Sequence, residues 1–448
     1  MPEGPLTATV THMSETSTVR VGLLGCGTVG GALVALMREQ AGEIAERTGV
    51  RLEISRVAVR SASKDRSVTI SPAVLTTDPA SVVSARDVDV VVELIGGIEP
   101  AFDLILDALK EGKPVVTANK ELIANLGAEL YAAASSSGVD LLFEASTAGA
   151  IPLVRVLRES LVGEHVTRVM GIVNGTTNYV LTRMTEAGVS YAEALTEAQN
   201  LGFAERDPAA DVEGYDAAAK AAIIASIVFG TRVVAGDVYR EGITTITADD
   251  ISYATRLGFV VKLLAIAERS ESVDGGPDEV NVRVHPAMVP SDHPLASVRD
   301  SFNAVFVEGD ACDQMMLYGR GAGGRPTASA VLGDLVDAAI NLRQGTHRPF
   351  VAPERRRIRT IDDLRTEYCI NLDVVDEPGV LASVAGVFGA HGVSIRSMEQ
   401  LGLQHEARLI FITHTAREAD VQATIAGLRS LGAVDSVNSV LRVVGDED

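Results

Sequence analysis

The alternation of short apolar strands with helical segments, which starts at Val19, constrains the fold more than any other feature. Residues 19–40, VRVGLLGCGTVGGALVALMREQ, run from an apolar strand through a glycine turn into an amphipathic segment. Helical stretches separate four further strand candidates, RLEISRVAVR, VDVVVELIGG, KPVVTANK and VDLLFEAS. Strands that alternate with helices in this way predict an α/β fold with a mostly parallel, doubly wound sheet.

The glycine turn has the spacing G-x-G-x-x-G, directly after the first strand and at the start of the first helix. Glycines at these positions permit a tight turn and allow a pyrophosphate to approach the N–H groups of the helix N-terminus. We therefore predict a Rossmann-type nucleotide-binding domain, although a purely structural turn is the alternative. The predicted cofactor contacts in this turn are Gly25, Gly27, Thr28, Val29 and Gly30.

The second strand is followed by a basic loop, VRSASKDR, which contains Arg60 and Lys64. NAD-selective sites usually carry an acidic residue at this place, whereas cations suit the 2′-phosphate of NADP. The sequence thus favours NADP(H) over NAD(H). The alternative interpretation is a solvated basic loop.

Two later segments, GGIEP with Gly96 and TANK with Lys120, also follow apolar strands. They should lie at the carboxyl edge of the sheet, where open α/β sheets bind ligands. Taken by itself, Lys120 fits an exposed lysine at a helix start. Gly321, in GRGAGG, precedes an alanine-rich helix and could close over the cofactor, or could simply belong to a helix start.

The chain length of 448 residues and an apolar content of 46% indicate two or three domains, each with its own core. The helix at about 326–343 is expected to pack back on the nucleotide-binding domain. The predicted bounds are a disordered tail at 1–18, the nucleotide-binding domain at 19–147, an α+β domain at 148–345, a linker at 346–365 and a third domain at 366–446.

Charge and composition argue against several classes of partner. The formal net charge of −21 opposes a broad phosphate-binding surface, so we expect no nucleic-acid partner. No uninterrupted run of eighteen apolar residues occurs, so membrane spanning lacks support. The three cysteines are widely separated, which is typical of a reducing compartment, and we predict a cytoplasmic location.

The stretch 212–230, VEGYDAAAKAAIIASIVFG, places Asp216 and Lys220 four residues apart on one helix. On an exposed helix such a pair is routine and contributes only about 0.2–0.5 kcal/mol. Here the helix is apolar on every side, which predicts burial. Because burying two charges costs several kcal/mol per ion, we interpret the pair as functional.

Seven motifs in order, GCGTVG, GGIEP, TANK, FEASTAGAIP, NGTTNY, ERDPAADVEGYDAAAK and GRGAGG with TASAVLGD, resemble homoserine dehydrogenases over about residues 19–345. The segment DEPGVLASVAGVFGAHGVSI resembles the ACT module, a βαββαβ domain that binds a regulatory amino acid at a domain interface. The resemblance implies reversible reduction of L-aspartate 4-semialdehyde to L-homoserine, for threonine, methionine and isoleucine biosynthesis. Threonine is the expected inhibitor, a homodimer or homotetramer is the expected assembly, and the domain at 148–345 is the expected catalytic and dimerisation domain.

The resemblance also assigns roles to residues. Lys220 is the expected proton donor and acceptor, with Asp216 hydrogen-bonded beside it, and Lys120 contacts both nicotinamide region and substrate. Whether Lys220 or Lys120 transfers the proton stays open. The expected substrate ligands are Glu205, Asp211, Lys120 and Thr176, the last in a polar run that could equally turn the chain, and Gly202 is expected near the cofactor.

A structural sodium ion is implied as well. Its expected ligands are Glu144 and the main-chain oxygens of Thr147, Gly149 and Ile151. From the residues alone, a cation at this turn has weak support.

Two rival functions remain open from the sequence. An aspartate-semialdehyde dehydrogenase would share the first βα unit, yet it needs a nucleophilic cysteine, and neither Cys312 nor Cys369 lies in a suitable turn. A nucleotide-binding regulatory protein with an amino-acid-sensing domain would not need Asp216 and Lys220 inside an apolar helix.

Overall fold

The computed structural model describes residues 17–270, 278–348, 356–403 and 406–445. The chain divides into two compact units. Unit 1 comprises Met1–Leu122, Leu126–Ala145 and Gly323–Val351, and unit 2 comprises Ile123–Asn125, Ser146–Ala322 and Ala352–Asp448.

The helices and strands follow one another in three stretches of the chain. The first stretch contains β1 (Ser17–Leu24), α1 (Thr28–Glu39), α2 (Ala41–Thr48), β2 (Val50–Ala58), β3 (Leu75–Thr76), α3 (Pro79–Val83), β4 (Val90–Glu93), α4 (Ala101–Lys110), β5 (Val115–Thr117), α5 (Lys120–Ser137) and β6 (Leu141–Leu142). The second contains α6 (Leu153–Arg155), β7 (Val166–Ile172), α7 (Gly175–Ala187), α8 (Tyr191–Asn200), α9 (Ala209–Val212), α10 (Tyr215–Val228), β8 (Tyr239–Arg240), α11 (Ala248–Arg256), β9 (Phe259–Ser270), β10 (Glu279–Pro290), β11 (Phe302–Gly309), β12 (Asp313–Arg320) and α12 (Gly324–Gln344). The third contains β13 (Arg365–Val375), α13 (Val380–Ala390), β14 (Ile395–Leu403), β15 (Glu406–Thr413), β16 (Ala416–Arg417), α14 (Glu418–Arg429) and β17 (Val434–Val443).

Unit 1 is built around a six-stranded sheet in the order β3-β2-β1-β4-β5-β6. All of its strand pairs are parallel. Strand β4 is buried throughout and β1 is buried from Val21 to Leu24, as parallel strands covered on both faces require. The first strand begins at Ser17, two residues before the predicted start, and residues 1–16 of the predicted tail lie outside the described residues.

Helix α12 belongs to unit 1 although it comes late in the chain. Its apolar residues, among them Val331, Leu335 and Ala338, share one core with Leu33 and Met37 of α1. The helix begins two residues before the predicted segment 326–343 and ends one residue after it.

Unit 2 contains a long mixed sheet, whose continuous path is β12-β11-β7-β9-β10-β17-β13-β15-β14. Strands β9 and β10 form a twelve-residue antiparallel pair at its centre. Helices α7, α10 and α11 pack on the β9 part of the sheet. Strand β7 lies within the apolar segment HVTRVMGIV, and β10 has the sequence EVNVRVHPAMVP.

The C-terminal part of unit 2 has the order β13, α13, β14, β15, α14 and β17, with the short β16 before α14. Its core includes Phe388 of α13 against Phe411 of β15, with ring centroids 4.9 Å apart. Strand β17 pairs in parallel with β10 through Ala287↔Arg442 and Met288↔Val443. The predicted βαββαβ domain is therefore present, and its sheet continues into that of the preceding domain.

The predicted linker 346–365 is only partly within the described residues, because 349–355 lie outside them. Its later part has fixed contacts. Ile358 forms a parallel bridge with Val280, and the guanidinium groups of Arg357 and Arg359 both pair with Glu279, at 3.0 Å each. The domain bounds stay predictions.

Candidate functional site

The turn between β1 and α1 requires glycine at two positions. Gly25 has a φ of 98°, and a Cβ there would lie 2.6 Å from the carbonyl oxygen of Leu94. A Cβ at Gly30 would lie 2.3 Å from the carbonyl oxygen of Gly25. Both glycines are thus fixed by the close approach of backbone to backbone.

The same turn leaves room for a ligand. A Cβ at Gly27 would meet no atom within 4 Å, and α1 begins at Thr28 with no side-chain cap and no acidic residue in its first turn. The N–H groups at a helix N-terminus bind phosphate well. The predicted cofactor residues Gly25 to Gly30 therefore form a cradle that fits a dinucleotide pyrophosphate.

Polar side chains at the ends of β4 and β5 fix the two adjacent loops. Buried Glu93 accepts hydrogen bonds from the N–H groups of Ile95 and Gly96, at 2.7 and 3.0 Å, and from the Thr117 hydroxyl at 2.6 Å. The predicted cofactor contact Gly96 is consequently held by the carboxylate of the preceding strand. Sequence reasoning missed Glu93, although a lone carboxylate ending an apolar strand was visible.

Lys120 is the first residue of α5 and is half-buried. Asn119 precedes it and caps the helix by accepting from the Leu122 N–H at 3.2 Å, while its amide donates to the Gly97 carbonyl at 2.6 Å. Lys120 and Gly96 thus lie on loops at the carboxyl ends of adjacent strands, as the sequence predicted. Asn119 is a second positioning residue that was missed.

The loop after β2 presents its cations to solvent. Arg66 donates to the carbonyl oxygens of Ser61, Ala62 and Lys64, which holds the loop in one shape. Arg60 and Lys64 are exposed, and neither forms an ion pair with another described residue. Both remain available to an anionic ligand.

Asp216 and Lys220 lie at the start of α10, where every residue from Asp216 to Ser226 is buried. We call these two residues the helix pair. The Lys220 Nζ is 2.8 Å from the Asp216 Oδ2, with side-chain exposures of 10% and 6%. The prediction of a buried helix is confirmed, and a surface salt bridge is excluded.

The end of β7 fixes the helix pair from the other side. Lys220 also donates to the Val173 carbonyl at 2.7 Å, and the Asn174 amide donates to Asp216 at 2.9 Å and to Asp211 at 2.7 Å. Three predicted residues, Asp211, Asp216 and Lys220, are thus brought together. The role of Asn174 was missed because its partners are 37 and 42 residues away.

Two further predicted substrate residues lie close to α7: Thr176 is in its first turn, and Glu205 is on the loop that follows α8. The Thr176 hydroxyl donates to the Phe203 carbonyl at 2.6 Å, which ties the loop to the helix. Gly202 and Glu205 are exposed on the same loop, and the Glu205 carbonyl accepts from the Gln199 amide at 3.1 Å. Thr176 therefore holds the loop in place, whatever it contributes to a ligand.

The predicted sodium ligands are divided between the units: Glu144 belongs to unit 1, and Thr147, Gly149 and Ile151 belong to unit 2. Glu144 is buried, and the Ile151 carbonyl already accepts from the Leu153 N–H at 2.8 Å. Among the described residues, no group of three His, Cys, Asp or Glu side chains could hold a metal ion. Sodium stays a prediction.

Gly321 has a structural explanation independent of any cofactor. A Cβ at this position would lie 1.9 Å from the Asn303 side-chain nitrogen, so packing in unit 2 requires a glycine. Its predicted cofactor contact is untested.

Comparison with known proteins identifies the family. Family models for the homoserine dehydrogenase NAD-binding domain, homoserine dehydrogenase and the ACT domain match residues 25–144, 152–336 and 370–433. The homoserine dehydrogenase of Corynebacterium glutamicum is 49% identical over 431 residues, which cover 96% of each chain. The chain belongs to the homoserine dehydrogenase family.

Other homoserine dehydrogenases agree with this assignment. The protein from Bacillus subtilis is 42% identical, covering 96% of this chain and 99% of its own. The crystal structure of a homoserine dehydrogenase from Thiobacillus denitrificans superposes with a TM-score of 0.88 at 39% identity, covering 96% of this chain and 99% of that one. The predicted α/β fold, the ACT domain and an NAD(P)-dependent oxidoreductase acting on a CH–OH group are confirmed.

The two rival functions are not favoured for this homoserine dehydrogenase. Burial raises the pKa of the Cys369 thiol to about 12, and burial also raises the pKa of Cys26 and Cys312. A nucleophilic cysteine needs a lowered pKa, so none of the three is activated. A regulatory protein without turnover disagrees with the family match over nearly the whole chain.

No helix within the described parts of the chain is long and apolar enough to cross a membrane.

Proposed function

We propose that this homoserine dehydrogenase reversibly reduces L-aspartate 4-semialdehyde to L-homoserine with NADPH, and that Lys220 transfers the proton. The observation that supports the proposal is the buried Lys220 ammonium, held by the Asp216 carboxylate and the Val173 carbonyl. Within the described parts of the chain, those two acceptors leave one of its three N–H groups for a substrate oxygen.

The residues of this chain have separable tasks in the reaction. When bound, the nicotinamide supplies the hydride for the aldehyde carbon. As the carbonyl oxygen gains negative charge, Lys220 stabilises it and donates a proton; in the reverse direction it accepts one. Asp216 orients the ammonium group, and Asn174 orients Asp216.

The carboxylates near the helix pair suit the substrate's ammonium group. We assign this contact to Asp211, which Asn174 holds beside Asp216, and to the exposed Glu205. Lys120, at the N-terminus of α5, is assigned to the nicotinamide region and the substrate. These assignments follow the family resemblance together with the placement of each residue within its own unit.

An assay of NADPH oxidation with L-aspartate 4-semialdehyde tests the reaction and the role of Lys220. The purified chain should turn over, and Lys220→Ala should lower kcat by about 10²- to 10⁴-fold, the usual contribution of a positioned acid or base. Lys110→Ala, on the exposed last turn of α4, is the control. A wild type without activity, or a Lys220→Ala variant with most of it, would refute the assignment.

NADP(H) is preferred over NAD(H) in this proposal because Arg60 and Lys64 are exposed after β2 and could bind the 2′-phosphate. A solved mutant of a hyperthermophilic archaeal homoserine dehydrogenase, 29% identical with a TM-score of 0.59, is in complex with NADPH. The double variant Arg60→Ala/Lys64→Ala should raise KM for NADPH about tenfold or more and leave KM for NADH nearly unchanged. Equal changes for both cofactors would contradict the preference.

The ACT domain supports regulation by an amino acid, and we propose threonine as the inhibitor, acting on a homodimer or homotetramer in the cytoplasm. Edge strand β12 exposes Met316 and Tyr318, as a dimerisation surface would. The three cysteines are free thiols, which suits the reducing environment of the cytoplasm. Sedimentation of the full chain tests the assembly, and titration of L-threonine against activity tests the inhibitor. A monomer, or unchanged activity at millimolar threonine, would refute the respective statement.

A further inference from the structure

A cavity of about 430 Å³ lies where the sheet of the ACT domain joins that of the catalytic domain, within unit 2. We call it the joint cavity. One wall comes from β7, β9 and β10, and the other from residues 364–367, 414–415 and the end of β17. Its size falls within the range of about 300–1,000 Å³ that is usual for small-molecule sites.

The wall formed by β10 contains a donor without an acceptor. Arg283 is buried, and its two terminal nitrogens are held by Glu268 and Asn281, with distances of 2.7 to 3.0 Å. Its Nε has no hydrogen-bond partner among the described residues. A buried charged donor that is left unpaired is costly, so an acceptor at this place would be bound favourably.

Two residues further along β10, and so on the same face of the strand, lies an acceptor without a donor. The His285 ring is fully buried, and its Nδ1 is 2.9 Å from the Pro286 carbonyl oxygen. A carbonyl only accepts, so Nδ1 carries the hydrogen and Nε2 has a free lone pair. Nε2 has no partner in the part of the chain that the structure describes.

Burial and the surrounding charges keep this histidine neutral. Burial, followed by the guanidinium groups of Arg442 and Arg283, holds the pKa of His285 well below its usual range. His285 is therefore an acceptor at physiological pH. Across the cavity lies the Glu367 carboxylate, which is largely buried and pairs with Arg396 at 2.6 Å.

An unused cationic donor, an unused neutral acceptor and a carboxylate together match a zwitterion. We propose that the joint cavity binds a free α-amino acid, with its carboxylate at Arg283 and its ammonium group at His285 and Glu367. The proposal rests on the proposed regulation by an amino acid and names the site for it. The site lies between the ACT domain and the catalytic domain of one chain.

The position of the cavity gives a bound amino acid a structural connection, through β10, to the helix pair. Strand β10 presents Arg283 and His285 to the cavity, and Val284, which alternates with them, lies against Gly214, where α10 begins. A Cβ at Gly214 would come within 3.4 Å of the Val284 side chain. The ligand thus contacts the strand whose opposite face supports the helix of Asp216 and Lys220.

Calorimetric titration of the full-length enzyme tests the proposal, with L-threonine, L-isoleucine, L-methionine and sodium phosphate as probes. Three variants change the cavity: Thr415→Trp fills its exposed rim, His285→Phe removes the acceptor, and His285→Gln restores one. The control Ala423→Trp places the same bulk on the exposed face of α14. Melting temperatures show which variants fold, and dehydrogenase activity is measured on each sample.

One of the three amino acids should bind once per chain. Thr415→Trp and His285→Phe should weaken that binding at least tenfold, whereas His285→Gln and Ala423→Trp should bind within about threefold of wild type. The Thr415→Trp result keeps the test decisive if His285→Phe does not fold.

Three outcomes would overturn the proposal. If an amino acid binds but both cavity variants bind it as wild type does, the effector role survives and the site is wrong. If no amino acid binds while turnover is normal, amino-acid regulation and this site both fail, and the dehydrogenase assignment stands. Binding of phosphate alone would refute the amino-acid chemistry of the cavity.

Discussion

Two ionic groups in unit 2, each around a buried cation, differ in how the chain builds them. The helix pair joins Asp216 and Lys220, four residues apart on α10. A second group, here the joint cluster, consists of Arg442, Glu418, Glu241 and Tyr368. Arg442 donates to Glu418 at 2.8 and 2.9 Å and to Glu241 at 2.9 Å, across 24 and 201 residues of chain.

The two groups also differ in what they leave unpaired. All three nitrogens of Arg442 have carboxylate partners, and the Tyr368 hydroxyl donates to Glu418 at 2.8 Å, so the joint cluster is internally satisfied. Among the residues that the structure describes, Lys220 has two acceptors for its three N–H groups. A satisfied cluster fixes the ACT domain on the catalytic domain, whereas an incompletely satisfied pair can serve a substrate.

Exchanging Lys220 of the helix pair for arginine should have the largest effect of the four changes, and the quantity affected is kcat. Lys220→Arg keeps the positive charge, but the guanidinium group does not give up its proton. We expect kcat to fall by about 10²- to 10⁴-fold, measured by NADPH oxidation, with the fold checked by circular dichroism. A variant with more than a tenth of the wild-type kcat would show that the charge suffices.

Removing the cation of the joint cluster should lower the free energy of unfolding. Arg442→Met leaves Glu418 buried without its cation, and removal of one partner of a buried pair costs about 3–5 kcal/mol. Denaturant unfolding measures the loss. The double variant Arg442→Met/Glu418→Gln should recover most of it, and a single variant as stable as wild type would remove the structural role given to the cluster.

Asn174 connects the helix pair to the end of β7. Its substitution should lower kcat less than the substitution of Lys220 does. Asn174→Ser keeps an oxygen that can cap α7 but loses the amide that donates to Asp216 and Asp211. We expect kcat to fall about tenfold, equivalent to about 1.4 kcal/mol. The control Ser190→Ala removes the cap of α8 and should lower stability by about 1 kcal/mol without changing kcat.

Protonation of His285, which lies near Arg442, should have the smallest effect, and the quantity affected is the stability at low pH. Its folded-state pKa lies below the value of about 6.5 in the unfolded chain, so the unfolded state binds more protons as pH falls. Stability should therefore decrease as the pH falls below about 6.5, and denaturant unfolding at a series of pH values measures the decrease. His285→Gln should lack this component of the pH dependence; identical profiles for both proteins would contradict it.

Local patterns were sufficient for much of the architecture. The apolar runs of β1, β4 and β5 and the G-x-G-x-x-G turn were predicted because each depends on neighbouring residues, whereas the βαββαβ order of the last domain came from its resemblance to the ACT module. The two-residue strand β3 and the positioning roles of Glu93 and Asn119 were not. Their signals are single polar residues or short segments, which have no periodicity.

The sequence by itself determined the family, the nucleotide-binding turn and the burial of Asp216 and Lys220, since motif order, glycine spacing and all-round apolarity are local properties of the chain. Only the tertiary structure showed that Asn174 joins Asp211 to Asp216, that β17 extends the catalytic sheet through β10, and that Arg283 and His285 line a cavity with unused hydrogen-bonding atoms. These contacts join segments 37 to more than 150 residues apart, and the polar satisfaction of a buried group depends on every segment that surrounds it.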